Sequence, residues 1–85
     1  HRGAEDRLGK LLLHLVNTRG HSSAQENSKV ILHISHDELA QMAAMSRSHV
    51  TVTMGKLRRQ NLVFYERNRP LTVDVPLLTA YLNRG

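Results

Sequence analysis

Residues 34–63 read ISHDELAQMAAMSRSHVTVTMGKLRRQNLV and carry the start signals of two consecutive helices. Ser35 and Glu38 have the spacing of a capping box, in which each side chain accepts a hydrogen bond from the other residue's amide. A second helix over about residues 46–60 also begins with serine, a preferred N-cap. Because residues 44–45 leave room for only a tight turn between the helices, the segment predicts a helix-turn-helix.

The second helix of this pair has two contrasting sides on a helical wheel. Its inward side is aliphatic and holds Val50, Thr53, Met54 and Leu57. Its outward side is small, polar and cationic and holds Arg47, Ser48, Thr51, Val52, Gly55 and Arg59. In the preceding helix we expect an inward side made of Leu39, Met42 and Ala43.

The segments before this pair predict a helix, a loop and a strand. Over residues 4–18, leucines and a valine recur at the i, i+3, i+4, i+7 spacing of one helical face, and Gly20 follows where a helix end is expected. Residues 20–28 are polar and without periodicity, which indicates a loop. The apolar alternation over residues 30–34 predicts a short strand at the edge of a sheet.

The segments after the pair predict a hairpin and a last helix. Alternating strands over residues 62–66 and 71–75 flank the turn RNRP at 67–70, which places two arginines at the tip of a wing spanning about residues 63–75. Pro76 suits the first turn of a helix, whose inward side we expect to hold Leu77, Leu78, Tyr81 and Leu82. The chain is therefore predicted to be one domain, residues 1–85, mainly α with a small antiparallel β-sheet: a winged helix-turn-helix.

The net charge of +5 is confined to the second half of the chain. Residues 1–45 hold five Lys/Arg and five Asp/Glu, whereas residues 46–85 hold seven Lys/Arg and two Asp/Glu. One-sided positive charge is typical of a domain that binds a polyanion, although a solubilising face has the same composition.

The predicted geometry suits double-stranded DNA. The second helix of such a pair enters the major groove with its N-terminal end, where the amides and the helix dipole favour a phosphate. Arg47 can reach guanine O6 and N7 in a bidentate fork, and Ser46 and His49 can add donors to a phosphate. Arg67 and Arg69 of the hairpin can bind phosphate across the minor groove.

Residues 34–63 resemble the helix-turn-helix signature of the Crp–Fnr superfamily of bacterial transcription regulators. The shared pattern is a capped helix with Leu-Ala at 39–40, Ser-Arg at 46–47 where the turn ends, Val-Thr at 50–51, and Leu-Arg at 57–58 ahead of a wing. Within the superfamily, the stretch from Val-Thr to Leu-Arg is most similar to the cyanobacterial nitrogen-control branch.

The resemblance implies roles for individual residues. Arg47 matches the arginine that begins the family's recognition helix and reads a guanine. Ser48 stands where many members have a base-reading glutamate, and Val52 stands where most have a second base-reading arginine, so we expect an altered sequence preference. Val52 could instead touch a thymine methyl. The predicted base contacts are Arg47, Ser48 and Val52. The predicted backbone contacts are Ser35, His36, Ser46, His49, Thr51, Lys56, Arg59, Arg67 and Arg69.

The resemblance also implies features outside these residues. We expect a cytoplasmic, full-length homodimer in which an effector domain and a long dimer helix precede this chain. A small-molecule effector would bind that upstream domain, and no cofactor is expected within residues 1–85. The expected partner is a double-stranded DNA operator, with RNA polymerase as a further candidate and no membrane contact.

The residues also bear on functions other than DNA binding. A winged helix that assembles with another protein is the alternative, since fold does not determine function; an apolar or acidic outward side of the second helix would favour it. His33 and His36 span a strand end and a helix cap without a carboxylate cluster, which argues against a metal site. No nucleophile elbow is present, so no enzyme is predicted. One of Phe64 and Tyr65 must face the core, which argues against an RNA-stacking platform.

Overall fold

A computed structural model describes residues 3–22, 29–66 and 69–84. The helices are α1 (Gly3–Arg19), α2 (His36–Ala43), α3 (Arg47–Arg59) and α4 (Val75–Leu82). The strands are β1 (His21–Ser22), β2 (Lys29–Leu32), β3 (Val63–Phe64) and β4 (Leu71–Asp74). This order of elements is the predicted winged helix-turn-helix, with β3 and β4 as the wing strands.

The strands form one antiparallel sheet in the order β1-β2-β4-β3. Lys29 of β2 lies opposite Asp74 of β4, and Val63 of β3 lies opposite Val73 of β4. The wing hairpin is thereby joined to the strand that precedes the helix-turn-helix. Since β4 pairs on both sides, the wing is held in a fixed position beside α2 and α3.

Two sequence predictions about this sheet were wrong. The strand expected at an edge, β2, lies inside the sheet because β1 and β4 pair with it from opposite sides. The expected loop at residues 20–28 begins with β1, whose two residues pair with Val30 and Ile31. The rest of that loop, residues 23–28, lies outside the described part of the chain.

The core lies between α1, the sheet and the other helices. Each fully buried leucine contributes roughly 1.5–3 kcal/mol by leaving water. Only glycine fits at position 20, where α1 ends, because a Cβ there would overlap Cγ1 of Val30 and the carbonyl oxygen of Val16. The buried hydrophobic residues are Leu8, Leu12, Leu15, Leu32, Leu39, Ala40, Val50, Met54, Leu57, Leu62, Val63, Leu71, Val73, Leu78 and Leu82.

The helix-turn-helix follows the sequence prediction closely. The capping box is present: Oγ of Ser35 accepts from the amide of Glu38 at 3.1 Å, and Oε1 of Glu38 accepts from the amide of Ser35 at 3.1 Å. α2 ends at Ala44, which has a left-handed backbone (φ 55°, ψ 46°) that reverses the chain. The inward side of α3 is confirmed, since Val50, Thr53, Met54 and Leu57 are all buried.

The inward sides of the two short helices were predicted less well. In α2 the buried residues are Leu39 and Ala40, whereas Met42 is 42% exposed, because α2 packs against both α1 and α3. In α4, Leu78 and Leu82 face Gly9 of α1, and Leu77 is 43% exposed. Ala43 and Tyr81 are partly buried against the core.

One turn of α1 binds the three other helices. The guanidinium of Arg7 donates to the carbonyl oxygen of Ala43 in the last turn of α2. Oε1 of Glu5 lies 3.7 Å from Nζ of Lys56 in α3, and Oε2 of Glu5 accepts a hydrogen bond of 2.8 Å from the hydroxyl of Tyr81 in α4. The start of α1 therefore makes polar contacts with α2, α3 and α4, in addition to the packing of the core.

Candidate nucleic-acid interface

The first turn of α3 is fixed by Ser46. Its backbone is extended (φ −69°, ψ 154°), and its Oγ accepts a hydrogen bond of 3.1 Å from the amide of His49. Such a cap contributes about 1 kcal/mol and determines where the helix begins. Arg47, Ser48 and His49 lie exposed in this turn, at the end of the helix whose dipole favours anions.

The exposed side continues along α3 as the sequence predicts. Thr51 and Val52 are exposed, and Val52 shows 57% of its surface to solvent. A Cβ added at Gly55 would meet nothing within 4 Å, so the backbone is open to approach on this side. The residues predicted to face bases, Arg47, Ser48 and Val52, therefore share one accessible side of the helix.

His36 connects the start of α2 to α3 and to the wing. Its Nδ1 lies 3.4 Å from Oγ1 of Thr51, and its ring meets the ring of Tyr65 edge to face, with centroids 5.2 Å apart. Burial lowers the pKa of His36 below 6.5, the positive charge of Arg47 lowers it further, and the carboxylate of Asp37 opposes both. The imidazole is consequently neutral at pH 7 in the free domain.

A groove of about 450 Å³ opens between the starts of α2 and α3 and the wing. Its lining residues are Ile34, Ser35, His36, Arg47, Tyr65, Glu66, Arg69 and Leu71. Nε of Arg69 lies 3.7 Å from Oε2 of Glu66, and both side chains are mostly exposed. An exposed ion pair of this kind is worth little, so a phosphate can displace the carboxylate. Arg67 lies outside the described residues.

Two residues of α3 predicted to contact the DNA backbone, Lys56 and Arg59, lie on different sides of the helix. Lys56 lies on the flank of α3 that faces α1, beside Glu5, and the structure does not bring it to the groove. Arg59 is exposed on the outward side. Arg58 lies with its guanidinium carbon 5.0 Å from the centroid of the Tyr65 ring, a cation–π distance that joins α3 to the end of β3.

Two residues at this interface were missed by the sequence reasoning. Asp37 pairs with Arg47, its Oδ1 lying 3.3 Å from Nε. Tyr65 packs between His36 and Arg58, and it rather than Phe64 is the aromatic that turns toward the core. The acidic position of Asp37 in the first turn of a helix was visible in the sequence, but its partner lies on another helix.

Among the described residues, no three His, Cys, Asp or Glu side chains converge as a metal site would require. None of the described helices has the length and apolar character needed to cross a membrane.

The fold and the site together define a class of protein. A capped recognition helix exposes small, polar and cationic residues, and a groove lined in part by Arg47 and Arg69 lies between it and a β-wing. This is the architecture of a winged helix-turn-helix DNA-binding domain. Residues 6–81 match the Crp-like helix-turn-helix domain family, and the chain belongs to that family. The function of a domain of this family is DNA binding in transcription regulation.

Solved structures have the same fold. A transcriptional regulator of the CRP/FNR family from Thermus thermophilus is 28% identical, with a TM-score of 0.77 over 95% of this chain and 41% of that chain. The CO-dependent transcription factor CooA from Carboxydothermus hydrogenoformans, in its imidazole-bound form, is 19% identical, with a TM-score of 0.73 over 96% of this chain and 38% of that chain. The chain thus spans about two fifths of the length of these two proteins. A search of curated proteins gave no match.

Proposed function

We propose that α3 enters the major groove of an operator with Arg47, Ser48 and Val52 toward the bases. The observation that carries this proposal is the exposed side of α3, which begins at a capped N-terminus and holds all three residues. Arg47 forks onto guanine O6 and N7, Ser48 donates to a neighbouring base edge, and Val52 contacts a thymine methyl.

The phosphates on either side of this contact are held by the ends of α2 and α3 and by the wing. Ser35 and His36 line the groove on one wall, and Arg69 lines it on another. The spacing of these groups around an open groove supports contacts to the DNA backbone that fix register and orientation. The complete proposed backbone set is Ser35, His36, Ser46, His49, Thr51, Lys56, Arg59, Arg67 and Arg69, of which Lys56 would have to leave Glu5 and meet a phosphate outside the groove.

In the whole protein, this domain works as one half of a DNA-binding dimer. An effector domain and a dimer helix precede it, an effector bound there reorients the two recognition helices, and the regulator acts on an operator and on RNA polymerase in the cytoplasm. The similarity of residues 50–58 to the cyanobacterial nitrogen-control branch supports that branch as the origin of the motif.

A selection from a pool of random duplex DNA tests the proposal. The chain is incubated with the pool at about 50 and 200 mM salt, and the retained duplexes are sequenced. We expect a short enriched motif with guanine at one fixed position and an affinity that falls steeply with salt. Absence of binding at the lower salt would contradict the DNA proposal and favour a protein-binding winged helix instead. Binding without any enriched motif would contradict the base contacts alone.

A further inference from the structure

We propose that Asp37 is a positioning residue that orients Arg47 for base reading and weakens its attraction for phosphate. The inference rests on the proposed function, in which Arg47 reads a base. It adds a determinant of sequence specificity that is acidic and belongs to α2 rather than to the recognition helix.

The geometry of the pair supports this role. Oδ1 of Asp37 lies 3.3 Å from Nε of Arg47, and both side chains are more than half exposed. The carboxylate lies beside Nε, and a bidentate contact to a guanine edge would use the terminal amino groups of the guanidinium. The backbone that carries Asp37 is held by the capping box of Ser35 and Glu38, which begins α2.

The charges around the groove explain why such a residue is needed. Arg47 lines the same groove as Arg69, so without a carboxylate beside it Arg47 would be drawn to any phosphate that enters. The carboxylate of Asp37 offsets the charge of Arg47 and repels phosphate from this position. Specificity is a difference between two affinities, and lowering the affinity for the sequence-independent mode increases that difference.

A matched pair of variants isolates the effect. Asp37→Asn and Glu66→Gln each remove one negative charge from the walls of the groove, but Glu66 pairs with Arg69 and not with Arg47. We expect both variants to bind a fixed, unrelated duplex more tightly than the parent chain. Only Asp37→Asn should lower discrimination, measured as the affinity ratio between the best selected duplex and the same duplex with its fixed guanine replaced.

The expected loss of discrimination is roughly three- to fivefold, the scale of one exposed ion pair. In an Arg47→Ala background, Asp37→Asn should leave discrimination unchanged, since the side chain that it positions is gone. Thermal unfolding of each variant shows whether the fold is kept. A structural role of Asp37 in α2 would lower stability and overall affinity without changing the ratio at one base position.

The outcomes separate this inference from the proposed function. If the parent chain enriches no motif, the base-reading function fails and the inference fails with it. If the parent chain enriches a motif and Asp37→Asn discriminates as well as Glu66→Gln does, the positioning role of Asp37 is overturned while the function stands. Loss of discrimination in Asp37→Asn alone, abolished by Arg47→Ala, supports the inference.

Discussion

The amide of Met45 donates a hydrogen bond of 3.0 Å to the carbonyl oxygen of Ala40, closing the turn between α2 and α3. The residue before Met45, Ala44, makes this closure possible by adopting a left-handed backbone with φ 55°. An L-residue with a Cβ pays roughly 1–2 kcal/mol for that conformation, and glycine does not. The turn that sets the angle between the two DNA-facing helices therefore holds local strain.

Replacing Ala44 with glycine should stabilise the domain. Because glycine also gains freedom in the unfolded chain, we expect a net increase of about 0.5–1 kcal/mol in the free energy of unfolding, measured by urea titration. Gln41→Gly is the control, since Gln41 is exposed inside α2, and it should lower stability by up to about 1 kcal/mol. Equal losses in both variants would show that the turn is not strained.

Gly55→Ala should separate stability from DNA binding. A helix-interior glycine costs roughly 0.5–1 kcal/mol relative to alanine, and a Cβ at this position has open space around it. The variant should therefore raise the melting temperature. If the backbone of α3 approaches DNA closely here, the same methyl group should weaken operator binding; unchanged affinity would show that the approach is not close.

Tyr81→Phe should loosen the attachment of α4 to α1. The lost hydrogen bond to Glu5 is worth about 1 kcal/mol of unfolding free energy. Burial, followed by the bond to Glu5, raises the pKa of Tyr81 above 10, so this stabilisation is complete below pH 10 and is lost as pH rises through the higher pKa of the folded state. In a Glu5→Ala background, Tyr81→Phe should lower the free energy of unfolding much less. If the loss were the same in that background, it would come from packing and not from the hydrogen bond.

Arginines at the start of α3 and on the wing should differ in what their removal changes. Arg47→Ala should cost about 1–3 kcal/mol of operator affinity and relax preference at one base position. Arg69→Ala should weaken all duplexes to a similar extent and reduce the salt slope by about 1. Competition binding against selected and unrelated duplexes distinguishes the two patterns, and the same pattern in both variants would contradict the assignment of Arg47 to a base.

His36 should make both folding and DNA binding depend on pH, with opposite signs. Its pKa is lowered in the folded domain, so the unfolded chain binds more protons and the domain loses stability as pH falls through 6.5. A phosphate beside the imidazole would raise that pKa, so DNA affinity should increase as pH falls from about 7.5 to 6.

A pair of histidine variants tests the assignment to His36. His36→Asn keeps a polar group near Oγ1 of Thr51 but cannot titrate, and it should remove this part of the pH dependence of binding. His49→Asn is the control, because it replaces the second histidine of the interface, in the first turn of α3, and leaves His36 in place. A pH profile of DNA affinity that is the same in His36→Asn as in the parent chain would rule out a phosphate contact by His36.

Local signals predicted the helix-turn-helix because each of its determinants lies within a few residues. The Ser35–Glu38 capping box, the Ser46 cap and the inward side of α3 all depend on neighbours along the chain. The place of β2 inside the sheet depends on β1 and on the distant β4, and a two-residue strand such as β1 has no periodicity to detect. The exposure of Met42 and Leu77 likewise depends on which helices pack against α2 and α4.

The interface was predictable where a single helix determines it. The exposed row on α3 follows from helical spacing and one cap. The pair of Asp37 with Arg47 and the contact of Tyr65 with His36 join residues from different elements. Those distances arise only when the turn at Ala44 and the register of β3 on β4 are known, so spacing in the sequence does not indicate them.

The polar contacts made by the first turns of α1 link this helix to the rest of the domain. Glu5 and Arg7 stand within one turn, and between them they bind α2, α3 and α4. The start of α1 is therefore tied to three helices at once, so a displacement of this turn would act on α2, α3 and α4 together. Such a displacement would reach the recognition helix α3 through Lys56 and its neighbour α2 through Ala43.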